Sequence, residues 1–284
     1  MKKKLLFSIW LNAIITLSEV VGGLISGSLA LLGDSLHNFS DTMSLLGSFI
    51  AMKISEKPKN KKYTFGYRRS EIIVAFLNSV SIFVVSTLVV IEAVKRLVNP
   101  ATVHTSVLLL VSSIGLTANF FSVILLHTHS KESMNVRSAY LHLIADTLSS
   151  ILVVLGAVFM RVWKIYWLDP VLAFVIALYM FKEAYEIVKE SFEILMEASP
   201  NLDFEKIKEE IEKIEGVRNA HHFHAWRVGE KEIHFECHVE VDNMELKDAQ
   251  KIIDEIEKRL KKYGITHTTV QLECERCSKE MICS

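Results

Sequence analysis

Residues 36–41 read Leu-His-Asn-Phe-Ser-Asp, and residues 141–146 read Leu-His-Leu-Ile-Ala-Asp. Each stretch sets a histidine four positions before an aspartate: His37 with Asp41, and His142 with Asp146. On a helix, positions i and i+4 lie one above the other on a single face, so each pair projects together. Both pairs sit near the middle of long apolar segments. A carboxylate at mid-bilayer costs about 2.5–3.5 kcal/mol even on insertion scales, so ionisable groups there mark function.

The surrounding pattern fixes the fold class. A bilayer core takes about 20 mostly apolar residues as helix. Six segments qualify, near Leu5–Ile25, Leu29–Met52, Ile72–Leu97, Val103–Leu126, Val136–Met160 and Leu168–Val188. Lipid cannot satisfy an open strand's backbone, so each is expected as a helix. The opening MKKKLLFSIWLNAIITL has the look of a signal peptide, but its apolar run continues to about Ile25, too long for a cleaved one. It reads as a first span anchored by Lys2, Lys3 and Lys4.

Positive charge sets the orientation. Lys53, Lys57, Lys59, Lys61, Lys62, Arg68 and Arg69 follow span two, and Lys131 and Arg137 follow span four. The opposite side has Lys95, Arg96, Arg161 and Lys164. Both termini are therefore expected in the cytoplasm, in a plasma or inner membrane. The net charge of −1 conceals an asymmetry, with apolar residues first and a Glu- and Lys-rich last third. No basic run interleaved with aromatics argues for nucleic acid. Four cysteines, three of them in the final ECERCSKEMICS, are too few and irregular for an extracellular disulfide framework.

The expected division is a six-span domain over 1–199 and a cytoplasmic domain over 200–284. In the latter, NLDFEKIKEEIEKIEG reads as an amphipathic helix ended by Gly216. VRNAHHFHAWRV and KEIHFECHVEV alternate as strands around Gly229-Glu230. LKDAQKIIDEIEKRLKKYG is a second helix, and ITHTTVQLE a third strand. The order α-β-β-α-β implies a small α+β domain of ferredoxin-like type, with helices on one sheet face.

Two neutral imidazoles and two carboxylates carry a charge of −2, which a divalent cation neutralises. Zinc takes such N₂O₂ shells, at about 2.0–2.2 Å. Magnesium and calcium prefer all-oxygen shells. The same donors bind protons, so metal and proton occupancy are linked. For a lone His–Asp pair the alternative reading is an interhelical hydrogen bond; the second pair, matched in depth, favours a cation site.

GSLALLGDSLHNFSD, YTFGYRRSEIIVAFLNS and RSAYLHLIADTLSS closely resemble the signature segments of the cation diffusion facilitator family. The resemblance covers essentially the whole chain. It implies six spans, a cytoplasmic tail domain, a homodimer, and exchange of cytoplasmic metal for outside protons. His37, Asp41, His142 and Asp146 fall on the family's transport site. Their pattern resembles zinc-preferring members, not the acidic or Asn-containing manganese type. Cobalt and cadmium share these ligand preferences. By the same resemblance, His221, His238 and Glu273 fall where relatives bind regulatory zinc. His267, Cys274 and Cys277 resemble a metal-binding tail motif, for which free thiols on a tail are the alternative.

Other residues carry readings of their own. Along a strand, His222 and His224 are expected on one face and His221 on the other. Asp34 is either an outward relay or a first-turn acid of its helix. Glu19 is either a proton acceptor or a partner of Ser or Asn in the bundle. Asn78 and Asn119 read as interhelical hydrogen bonders. His127 and His129 read as a solvated pair. The loop KPKNKKYTFGYRR holds Tyr63 and Tyr67 where relatives often carry a further metal site, which is expected to be absent. Arg69 and Glu197 are expected to pair. A membrane metalloenzyme and a non-transporting metal sensor are the competing classes. Against the first, four ligands leave zinc no open position for water, and no His-Glu-x-x-His stretch occurs.

Overall fold

The computed structural model describes the backbone of residues 2–127, 134–229 and 232–274. Of these, the side chains of 2–11, 45, 48, 52, 125–127, 134–139, 141 and 142 lie outside the description. The chain forms two compact units: residues 1–50 with 74–188, and residues 51–73 with 189–284.

Six long helices account for the first unit and its extensions: α1 Lys2–Ser26, α2 Leu29–Ser55, α3 Arg69–Val98, α4 Thr105–His127, α5 Met134–Trp163 and α6 Leu168–Leu195. Each overlaps a span expected from the apolar pattern. Among the described residues, 69–98, 105–124 and 143–163 are long and apolar enough to cross a membrane by length and composition alone. The described part of α1, Asn12–Ser26, is a shorter apolar helix. Glu19 lies in α1, Asp34, Asn38 and Asp41 in α2, and Asp169 and Glu183 in α6.

Leu29 and Ala30 of α2, Val89 and Ala93 of α3, and Ala173 and Ala177 of α6 form one buried cluster. A second joins Leu31 of α2 and Leu108 of α4 to Val153, Ala157 and Met160 of α5. Large apolar side chains such as Leu24, Leu88, Leu110, Phe121, Leu148 and Val175 are exposed, as expected of faces turned to lipid. Close approach needs small residues. A Cβ on Gly115 of α4 would sit 2.2 Å from Glu19 Oε1, so this glycine makes the room for a buried carboxylate.

The start of α2 is capped from another helix. Asp169 accepts from the Leu29 and Ala30 amides at 2.7 and 3.3 Å and from Ser28 Oγ at 2.5 Å. A carboxylate at a helix N-terminus satisfies orphan N–H groups and meets the positive end of the dipole. Asp34, one turn further in, is buried and accepts from Ser149 Oγ at 2.8 Å. It is thus a bundle residue of α2, not an interfacial first-turn acid.

The second unit contains α7 Phe204–Glu212, β1 Val217–Arg227, β2 Ile233–Val241, α8 Leu246–Leu260 and β3 Ile265–Glu273, the expected α-β-β-α-β order. The sheet order is β1-β2-β3, with β1–β2 antiparallel and β2–β3 parallel. Asp203 caps α7, accepting from the Lys206 amide at 3.2 Å. The helix stops at Glu212, and Gly216, at φ +89°, turns the chain into β1. A 3-10 turn over Lys261–Tyr263 follows α8, and Gly264, at φ +78°, closes it before β3. Ile207, Ile211, Phe223, Phe235, Val239, Ile252, Ile256 and Leu260 make the core, with both helices on one sheet face.

Candidate metal centres

In the first unit, His37 of α2 and Asp146 of α5 meet. His37 Nε2 lies 3.2 Å from Asp146 Oδ1 and 3.8 Å from Asp41 Oδ2. One donor atom from each of the three falls within 4.8 Å of the others. The i,i+4 geometry aligns His37 with Asp41, and helix packing supplies Asp146. The His142 side chain lies outside the described residues. Asp146 is buried, at 7% exposure. Asp41 is more open and faces a cavity of about 330 Å³. That cavity is lined by His37, Ser44 and Asn78 and, from α6, Glu183 and Glu186.

Hydrogen bonds between helices frame this cluster. Asn38 Nδ2 donates to Glu19 Oε2 at 2.8 Å, Asn78 Nδ2 to Ser44 Oγ at 2.7 Å, and Asn119 Nδ2 to Ser150 Oγ at 3.1 Å. Asn78 and Asn119 bond between helices as expected, and Glu19 pairs with Asn38 in the bundle. Tyr179 stands edge-on to His37, with ring centroids 6.2 Å apart. Glu183, Glu186, Tyr179 and Asp169 were not singled out from sequence. Only their place on the apolar α6 could have flagged them.

The second unit holds a second cluster. His221 and His238 are register partners across β1 and β2, and Glu240 of β2 pairs with Glu273 of β3. His238 Nδ1 lies 3.0 Å from Glu273 Oε1, and His221 Nε2 lies 3.5 Å from Glu273 Oε2. The three donors again fall within 4.8 Å of one another. His221 is 1% exposed, and its Nε2 is buried without a hydrogen-bond partner. Burial holds this imidazole below its usual range, so it is neutral and carries a lone pair. An orphaned buried nitrogen beside a histidine and a carboxylate fits a zinc ion, whose shells use these donors.

Histidines 221 and 222 do not split between opposite sheet faces as the strand pattern predicts. The register slips between His221 and His224, and His222 adopts φ +54°. That bulge brings both rings against His238, at centroid distances of 5.7 and 4.3 Å. An extra residue in one strand re-aims a side chain in this way.

The His267 ring packs at a tilt against His234, at 4.7 Å between centroids, and is not part of the His221 cluster. Cys274 is exposed and free. Cys277, His129 and the His127 side chain lie outside the described residues. Arg69 donates to Glu197 at 2.9 Å, as expected.

A helical bundle with a buried His–carboxylate cluster, carried in one chain with an α+β domain bearing a second, defines a membrane protein that handles divalent cations. Comparison with known proteins agrees. The cation efflux transmembrane domain matches residues 5–196, and the cytoplasmic domain of cation efflux proteins matches residues 199–275. The chain belongs to this family, the cation diffusion facilitators.

It is 36% identical over 278 residues to a cadmium, cobalt and zinc/H(+)-K(+) antiporter of Bacillus subtilis, covering 96% of this chain and 89% of that one. It is 36% identical over 281 residues to zinc transporter ZitB of Escherichia coli, covering 97% and 88%. The metal cation efflux system protein CzcD of Cupriavidus metallidurans is 31% identical over 280 residues, covering 98% and 88%.

Proposed function

We propose that this protein is a zinc exporter that exchanges cytoplasmic zinc for protons, with His37, Asp41, His142 and Asp146 as the transport site. The observation that carries the reading is the convergence of His37, Asp41 and Asp146 donors from two apolar helices. The relatives' names, zinc transporter and cadmium, cobalt and zinc antiporter, support zinc as substrate and cobalt or cadmium as competitors.

The chain divides into a transport domain, 1–199, and a cytoplasmic domain, 200–284, with both termini in the cytoplasm. The cavity beside Asp41 reaches along α2, α3 and α6 toward the ends that the positive residues assign to the cytoplasm. Glu183 and Glu186 draw a cation in. At the site, two carboxylates and two imidazoles replace its water at mid-membrane depth. Opening of the bundle to the other side then exposes the same donors to protons, which compete for the lone pairs that hold zinc. Asp34 and Glu19, buried beside the site, are further proton-accepting positions.

His221, His238 and Glu273 hold a regulatory zinc, and the cytoplasmic domains pair in a homodimer, the commonest closed assembly. Zinc there favours whichever arrangement binds it better. His267, Cys274 and Cys277 form a further site in the tail. Uptake of zinc into proteoliposomes under an imposed proton gradient tests the reading. Zinc bound without uptake would leave a sensor.

A further inference from the structure

We propose a second cation site in the cytoplasmic domain, on His222 and His224, distinct from the His221, His238 and Glu273 site. Four imidazoles crowd here because β1 carries its bulge at this point. His222 holds a left-handed φ of +54°, which a residue bearing a Cβ rarely adopts. Strain of this kind persists where surroundings impose it, and it clusters at functional sites.

The strained backbone aims His222 Nε2 at His224 Nε2, and the two stand 3.3 Å apart. That separation is long for a hydrogen bond, since N–H donors favour about 2.9–3.0 Å. It matches the bite of one tetrahedral ion: two nitrogens at about 2.0–2.1 Å from zinc lie about 3.3–3.4 Å apart. Both rings are half-buried, and Phe223 between them is anchored in the core, which holds the strand in place.

A carboxylate stands nearby. Glu236 is the register partner of His224 across β1 and β2, so the two share a sheet face. His224 and Glu236 line a cavity of about 800 Å³, which opens the His224 side of the pair to a hydrated ion. Two imidazoles suit a borderline divalent ion such as zinc or cobalt, not magnesium or calcium, and Glu236 supplies negative charge beside the pair without converging on it as a third donor. The sites are neighbours but do not share donors. The His222 ring lies against His238, whose Nδ1 faces Glu273, so an ion on His222 fixes a wall of the first site.

The site goes beyond the transport reading, and a count of bound ions tests it whether or not the protein transports. Zinc per chain is measured by atomic emission on the full-length protein in detergent, after equilibration at saturating free zinc. His222→Gly keeps the bulge, since glycine accepts its φ, and His224→Gln keeps the ring's approximate volume. Each is expected to bind one zinc fewer than the parent protein, and the double substitution no fewer than either alone. Adding His238→Asn to His222→Gly should remove one more. An unchanged count in both single variants would overturn the proposal. So would a His222→Gly/His238→Asn protein that loses no more than His238→Asn alone, because one shared ion would then explain all four histidines.

Discussion

The membrane cluster and the cytoplasmic cluster use the same donor chemistry on different scaffolds. His37, Asp41 and Asp146 come from two helices, and Asp41 opens onto a cavity. His221, His238 and Glu273 come from neighbouring strands of one hydrogen-bonded sheet, backed by Phe235, Cys237 and Val239. Helices that meet only through side chains can separate, which releases an ion. A strand ladder cannot part without breaking backbone hydrogen bonds, so it holds its donors in place. The first arrangement suits cargo, and the second suits a resident ion.

Loss of a membrane donor tests the comparison with the largest effect. Asp146→Ala is expected to reduce zinc uptake in proteoliposomes to the level of protein-free vesicles, because it removes the donor that joins α5 to α2. Uptake near the parent rate would place the cargo site elsewhere. On the cytoplasmic side the scaffold is the sensitive element. Phe235→Ala opens a cavity beneath the sheet, and such truncations cost about 3–5 kcal/mol. Hydrogen exchange of the β2 amides in the full-length protein should show protection falling accordingly. Unchanged protection would mean that the sheet is not what holds that site rigid.

A smaller effect would distinguish a cargo site from a regulatory one. His238→Asn should leave uptake measurable and raise the zinc concentration needed for half-maximal activity by about tenfold, within the usual range of coupling between sites. If uptake vanished instead, as for Asp146→Ala, the two clusters would not divide the work in this way.

The alignment of His37 with Asp41 was legible because a spacing of four on a helix leaves little freedom. The strand boundaries were legible too, since Gly216 and Gly264 turn the chain where positive φ is needed. Other features were hidden for physical reasons. Asp169 caps α2 from 140 positions away, and no local pattern encodes such a contact. Glu183 and Glu186 resemble solvated charges at a helix end, and only the approach of α2 and α3 makes them part of a cavity wall. Strict alternation assigned His221 and His222 to opposite faces, and one bulge undid that, because a single extra residue resets the period of two.

The smallest effect tests whether the cytoplasmic scaffold is rigid throughout or only at its sheet. Asp203 accepts from the Lys206 amide at the start of α7, and Lys206 also pairs with its carboxylate at 2.9 Å. These contacts hold the Asp203 carboxyl below its usual range. Replacing a capping aspartate by alanine leaves first-turn amides without their side-chain acceptor, and a change of about fivefold in the local opening equilibrium is expected. Asp203→Ala should therefore speed exchange of the first α7 amides about fivefold and leave the β2 amides unchanged. Because the folded-state pKa is depressed, the cap stabilises fully above the ordinary aspartate range and is lost as pH falls through the lowered value. Faster exchange in β2 as well would show that α7 and the sheet open together, and that the cytoplasmic cluster is only as firm as its first helix.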